Sequence, residues 1–376
     1  MSELASYSIQ AIFFALVAVV VVSRSKKTDL YQFALISIWL VGVIAIYARY
    51  KDGQALFYSN DQEFHRLVIE YYLPVEGIHV SAVIALRYLL TVPVYLISLL
   101  GFSPLLVIKF LQLGALLLIY QNSRRFLESQ MLVTKFWQLP LIAGPVFIFM
   151  SLLSLRDVLL AYFALLFITS VQYKSKLLGL GGAFLLRPHL AFALAFSFAL
   201  FFVYSKMRLK HKNLGLSIFA LIAYVSGTVA YSVGAVIQNS ANFVAPSTVF
   251  SQFKFSQLAA NFFGLQFLAL SDPDNLIVES STLTLLFSRV LFFDTLFIPM
   301  LFLFAVMRHP EFLGKQKMLT LQAFLFFYGV VSQTNFNSTR QNLPFLACMG
   351  VLAVADIEHF RRIKAKVAPK LLTATR

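Results

Sequence analysis

Five arginines and histidines stand where a membrane-crossing chain has least use for them. Arg187 and His189 flank a proline in "AFLLRPHLAFALAF", residues 183 to 196. Arg156 opens the apolar run "SLRDVLLAYFAL", Arg289 interrupts "LLFSRVLFFDTLF", and Arg340 sits in "NFNSTRQNLPFLA". An arginine at the centre of a spanning helix costs ~2.5–3.5 kcal/mol on insertion scales, so such residues need a reason. A guanidinium stays protonated and presents a planar fork that matches phosphate oxygens. Arginines from separate helices aimed at one cavity would suit a diphosphate, and a cavity open to lipid would suit a diphosphate on a lipid tail. Pro188 would break the helix so that Arg187 and His189 reach that cavity.

The same residues have plainer readings. Arg156 and Asp157 could form an interfacial ion pair. Asp294, five residues from Arg289, could neutralise an arginine of another helix. Arg340 could anchor at the interface, its stem in the apolar layer. His189 alone could be a packing residue, and Lys109 is read as snorkelling or paired. A reaction would also need a general base. His189 is the first candidate, with Asp61, Glu63 and His65 of "YSNDQEFHR" as the others.

The elements that must position these groups are helices in a bilayer. The 376 residues are 59% hydrophobic and 12% charged, whereas soluble domains carry about 25% charged residues. Forty phenylalanines would overfill one water-soluble core of this size. Twelve apolar runs fall near 7–23, 30–48, 82–101, 104–120, 136–153, 158–173, 177–186, 190–205, 214–237, 283–306, 318–333 and 343–357. Several are shorter than the ~20 residues of a full crossing, which predicts half-helices and re-entrant segments. The fold class is therefore an all-α polytopic membrane protein of about 10–12 transmembrane or re-entrant helices.

A net charge of +15 would ordinarily raise nucleic acid as a partner. Its placement points elsewhere, because the basic residues fall in short clusters between apolar runs: 23–27, 122–125, 174–176, 206–212, 307–317 and 360–366. That is the positive-inside signal, and it makes these loops and the basic tail 360–376 cytoplasmic in a multi-pass protein of the cell's inner membrane. On this topology residues 49–80 and 238–282 are the two larger outer loops, and Arg156, Arg187, His189, Arg289, Asp294 and Arg340 lie in the outer half. Two full crossings at 82–101 and 104–120 would break the alternation. The first run, with Arg87 and Pro93, is read as broken or shallow. The N-terminal run has its basic residues after it, as a first transmembrane helix does and a cleaved signal peptide does not. Cys348 is the single cysteine, and no CxxC, HExxH, Walker A or GxGxxG motif appears. "GLGG" at 179–182 is read as helix packing.

Three stretches resemble the bacterial Wzy-type polysaccharide polymerases of the EpsG-like branch, which are related to membrane glycosyltransferases of the GT-C type. They are the first outer loop with "YSNDQEFH", the helix-opening "SLRDVLLAYFAL", and "STRQNLPFLACMGVLAVA" followed by a basic tail. "LLRPHLAF" stands where that branch often has a phenylalanine–histidine pair. The first loop lacks the branch's glycine–threonine–aspartate–tyrosine run, so Asp61 carries over less directly than Arg156 or Arg340. The resemblance implies a GT-C-like fold and a glycosyltransferase that polymerises undecaprenyl-diphosphate-linked oligosaccharide repeat units on the outer face of the cytoplasmic membrane. Arg156, Arg187, Arg340 and Arg289 would bind the diphosphate, with no cofactor and no metal. It also implies a chain-length regulator as a possible partner. Two alternatives stay open: a GT-C enzyme using a polyprenyl-phosphate sugar, in which Asp61 and Glu63 could hold a divalent ion, and a transporter or flippase for lipid-linked oligosaccharide.

Overall fold

A computed structural model describes residues 3–25, 29–50, 64–76, 88–153, 155–206, 212–239, 282–331 and 342–374. Among the described residues there are helices and no strands. Each of the twelve apolar runs carries helix. In chain order these are α1 (Glu3–Ser23), α2 (Leu30–Tyr50), α3 (64–76, π-helical at Val68–Tyr72), α4 (Tyr88–Ser98) and α5 (Pro104–Ser129). Then come α6 (Leu139–Ile142), α7 (Pro145–Ser151), α8 (Asp157–Thr169), α9 (Tyr173–Leu186) and α10 (Pro188–Lys206). The chain ends with α11 (Lys212–Asn239), α12 (Thr282–Arg308), α13 (Gly314–Val331) and α14 (Leu343–Ala374).

Five of these are long and apolar enough to cross a bilayer: α1, Leu30–Arg49 of α2, α5, α10 and Leu343–Ala365 of α14. Large apolar side chains stay exposed along them and their neighbours, among them Ile9, Leu16, Val41, Phe192, Phe202 and Leu221. Water penalises such an exterior and lipid does not. The inside is drier still: α14 is buried at every position from Leu343 to Asp356, with α8 and α12 packed against it.

Contacts between sequence-distant residues bring the basic clusters to one end of the bundle, called here the basic face. Asp29, in the α1–α2 connection, accepts hydrogen bonds from Tyr120 and Arg124 of α5. Tyr31 packs edge-on to Phe136, and Arg361 lies over Trp137. Gln138 donates to Glu358. His309, after α12, and Lys317 of α13 both reach Asp356 of α14, and Lys315 lies over Phe198 and Phe201 of α10. At the opposite end Gln10 accepts the Ser103 N–H at 2.9 Å and donates to the Gly101 carbonyl at 3.5 Å. The α4–α5 turn therefore sits on the same side as the start of α1, and α5 crosses from that face to the basic face.

In the run at 82–101 the described residues begin at Tyr88. The helix there, α4, has 11 residues with Pro93 inside it. At 1.5 Å per residue this described part covers about 16 Å, about half of a ~30 Å hydrocarbon layer. It packs against α3 through Val92 and Tyr95, which meet Val68 and Leu73. The run at 136–153 is broken, into a 3₁₀ turn at Phe136–Gln138, then α6 and α7. Gly144 is extended between the last two, and Pro145 opens α7 where its missing N–H costs nothing.

Small residues set the tightest helix pairs. A Cβ on Gly179 of α9 would lie 2.7 Å from the Phe163 carbonyl oxygen of α8, and one on Gly182 would lie 2.5 Å from the Phe163 ring. The "GLGG" stretch is thus the α8–α9 contact, as helix packing requires. Gly227 of α11 and Gly329 of α13 bring those two helices together in the same way.

Candidate functional site

The chain turns sharply between α9 and α10, and proline dictates where. A residue before proline is driven out of the helical region. Arg187 accordingly has φ −157° and ψ 90°. Its N–H still closes α9 on the Ala183 carbonyl at 2.7 Å, and its carbonyl accepts the Leu190 N–H at 3.0 Å to open α10. Arg187 is thus the single extended residue between two helices, which aims its side chain inward. The residue is only 5% exposed. Its Nη2 reaches Asp157 Oδ1 at 3.5 Å, and Asp157 is 1% exposed.

Asp157 is the first residue of α8, where the helix dipole favours a negative charge. The start of α8 is fixed from α5: Gln112 Oε1 accepts the N–H groups of Val158 at 3.0 Å and Leu159 at 3.1 Å. Two of the helix's orphan donors are satisfied in this way. Gln112 lies about 12 Å along α5 from Pro104, so α8 begins inside the bilayer rather than at its surface. α8 and α9 have 13 and 14 residues and span about 20 Å each, which makes them a hairpin that rises part-way from the basic face.

Arg156 caps the other side of this point. It precedes α8, and its Nη1 donates to the Leu186 carbonyl at 2.6 Å, an orphan acceptor at the end of α9. His189 begins α10 and stacks at a tilt on Phe327 of α13, centroid to centroid 5.7 Å. It stands two residues beyond Arg187, across Pro188. Two arginines, one carboxylate, one imidazole and the positive end of α8 therefore meet at one junction in the half of the bundle away from the basic face. Among the described residues two guanidiniums meet one carboxylate here, and guanidiniums beside a helix N-terminus are groups that can hold an anion by charge-assisted hydrogen bonds.

The remaining candidates fall elsewhere. Arg289 is exposed on α12. His65 is buried within α3, edge-on to Phe64. Its neighbour Arg66 pairs with Glu70 at 3.2 Å on the wall of a cavity of about 370 Å³ shared with Tyr7, Gln10 and Tyr47. Arg340, Asp61 and Glu63 lie outside the described residues. Asp294 needs correcting on two points. It accepts the Val146 N–H at 2.8 Å and so caps α7, where an arginine partner was expected. It also lies toward the basic face: Tyr31, near the start of α2, donates to the Ala143 carbonyl beside that cap.

One polar group here escaped sequence reasoning, and one was read with two outcomes open. Gln112 is a fully buried amide in an apolar run, and that isolation was its only signal. Lys109 is buried and donates to the Tyr7 hydroxyl at 3.2 Å, so it is paired rather than snorkelling. Among the described residues no three His, Cys, Asp or Glu side chains gather in a way that could hold a metal ion. No family model, no curated protein and no solved structure matches the chain.

Proposed function

We propose that this chain is a membrane glycosyltransferase that extends oligosaccharides carried on a polyprenyl diphosphate, in the manner of the Wzy-type polymerases. The observation that carries the reading is the placing of Arg156 and Arg187 at the α8–α9–α10 junction, with His189 in the first turn of α10. The positive-inside rule makes the basic face cytoplasmic and puts this junction in the outer half of the membrane.

The chemistry follows from the residue types. An acceptor sugar hydroxyl attacks the anomeric carbon of the donor chain. The new glycosidic carbon–oxygen bond forms as the bond from that carbon to the diphosphate oxygen breaks, and the electron pair leaves with the diphosphate. Negative charge grows on the leaving group, so Arg156 and Arg187 hold it more strongly in the transition state than before. His189 takes the acceptor proton. Asp157 keeps Arg187 oriented when no substrate is bound.

The test uses the purified full-length protein with undecaprenyl-diphosphate-linked repeat units in detergent or liposomes. A ladder of longer glycans supports the reading, and Arg156→Ala or Arg187→Ala should abolish it. Movement of lipid-linked units across the bilayer without new glycosidic bonds would make the chain a flippase. Activity that requires a polyprenyl-phosphate sugar and stops with a chelator would favour the GT-C alternative.

A further inference from the structure

A second cavity, of about 370 Å³, opens at the basic face between α12 and α14. Its walls divide by chemistry. Leu301 and Phe304 of α12 and Ile357 of α14 form the apolar part, while Arg308, Arg361 and Lys364 bring cations to the end nearest the basic face.

These cations are held in place by neighbours. Arg308 ends α12 and lies over the Phe360 ring, 3.3 Å from its centroid, and Lys364 lies 4.9 Å from the same centroid. Phe360 thus holds two cations side by side that would otherwise repel each other. Arg361 is paired with Glu358 at 2.8 Å. The one carboxylate in the wall, Asp356, is met from behind: Lys317 Nζ reaches it at 2.9 Å and His309 Nδ1 at 3.1 Å. Its charge is therefore spent inside the protein, and the cavity mouth keeps the positive charge of Arg308 and Lys364.

We infer that this cavity binds the headgroup phosphate of an anionic glycerophospholipid. The occupant follows from charge and depth together. A free anion would need the cations alone, whereas here an apolar slot continues from them between α12 and α14, and α12 carries the exposed apolar side chains Phe297 and Phe304. Basic pockets between transmembrane helices on the cytoplasmic side recognise lipid headgroups in this way. The site lies at the other end of the molecule from Arg156 and Arg187, and the inference stands or falls independently of the proposed reaction.

The experiment is a thermal-unfolding titration of the full chain in uncharged detergent. The added ligands are phosphatidylglycerol, phosphatidylcholine of the same acyl chains, and inorganic phosphate. Phosphatidylglycerol should raise Tm with a saturable midpoint, and the other two should not. Arg308→Gln and Lys364→Gln should each shift that midpoint about fivefold higher. Lys174→Gln, which removes an exposed charge elsewhere on the basic face, should leave it within about twofold. Lys364 is exposed, so its variant keeps the test open should Arg308→Gln fold poorly. Equal stabilisation by phosphatidylcholine, saturation by inorganic phosphate alone, or Lys364→Gln behaving like Lys174→Gln would each overturn the inference.

Discussion

Replacing Arg187 by methionine should destabilise the protein far more than an average substitution, and a second substitution should restore much of the loss. Asp157 and Arg187 are 1% and 5% exposed, with 3.5 Å between Oδ1 and Nη2. At an effective dielectric of ~20, two unit charges at that separation attract by ~4–5 kcal/mol. Removing one partner of such a pair leaves an uncompensated buried charge, which typically costs ~3–5 kcal/mol. Arg187→Met should therefore lose that amount. Asp157→Asn, whose amide oxygen can still accept, should fall at the low end of the range. The double variant removes both charges of the pair, so its loss should be smaller than the sum of the singles by at least ~2 kcal/mol. Reversible unfolding in mixed micelles gives the three values. The singles also separate structure from function: Asp157→Asn should keep or tighten binding of a lipid diphosphate, because it removes a carboxylate that competes for Arg187, while Arg187→Met should weaken it. Additive losses, with coupling under ~0.5 kcal/mol, would refute the pairing.

Three further outcomes follow from the packing. Gly179→Ala should push α8 and α9 apart and cost ~1–3 kcal/mol, while Gly181→Ala, with nothing within 4 Å of its new methyl, should be neutral or slightly stabilising; thermal unfolding compares the two. Gln112→Leu should cost ~1–3 kcal/mol by stranding the Val158 and Leu159 N–H groups, and should lower the proposed transferase activity because Arg156 and Asp157 lose their anchor. In a Cys348→Ala background, single cysteines at Arg24, Arg125 and Arg362 should all label from the same side of sealed membranes, and one at Glu3 from the other; labelling that divides the first three would contradict the gathering of the basic clusters.

Much of the fold was legible because lipid simplifies the code. A run of apolar residues has few options other than helix, and every such run became one. Where the runs broke was partly legible too. The Gly144–Pro145 pair and Pro188 mark the ends of α6 and α9 for the local reason that proline lacks a donor, whereas Pro93 lies inside α4. Continuations were harder. α5 runs on through the basic cluster to Ser129, and α14 through the basic tail to Ala374, because charged residues at a membrane surface favour helix as readily as loop. Partners were hardest of all. That Asp294 caps α7, that Gln112 caps α8, and that Asp157 faces Arg187 rather than its neighbour Arg156 depend on which helices pack together, and residues 30 to 148 positions apart carry no local trace of it. Within the site, the "LLRPH" pattern announced both the break and the inward arginine, since no simple crossing would tolerate them.

The most direct test of the central claim is the affinity of the purified protein for undecaprenyl diphosphate. A charge-assisted hydrogen bond contributes ~1.5–3 kcal/mol, so Arg156→Ala and Arg187→Ala should each weaken binding roughly 10- to 100-fold. His189→Ala should bind nearly as well as the native chain while turning over far more slowly. Native affinity in both arginine variants, or binding that depends on Arg308 and Lys364 instead, would contradict the account.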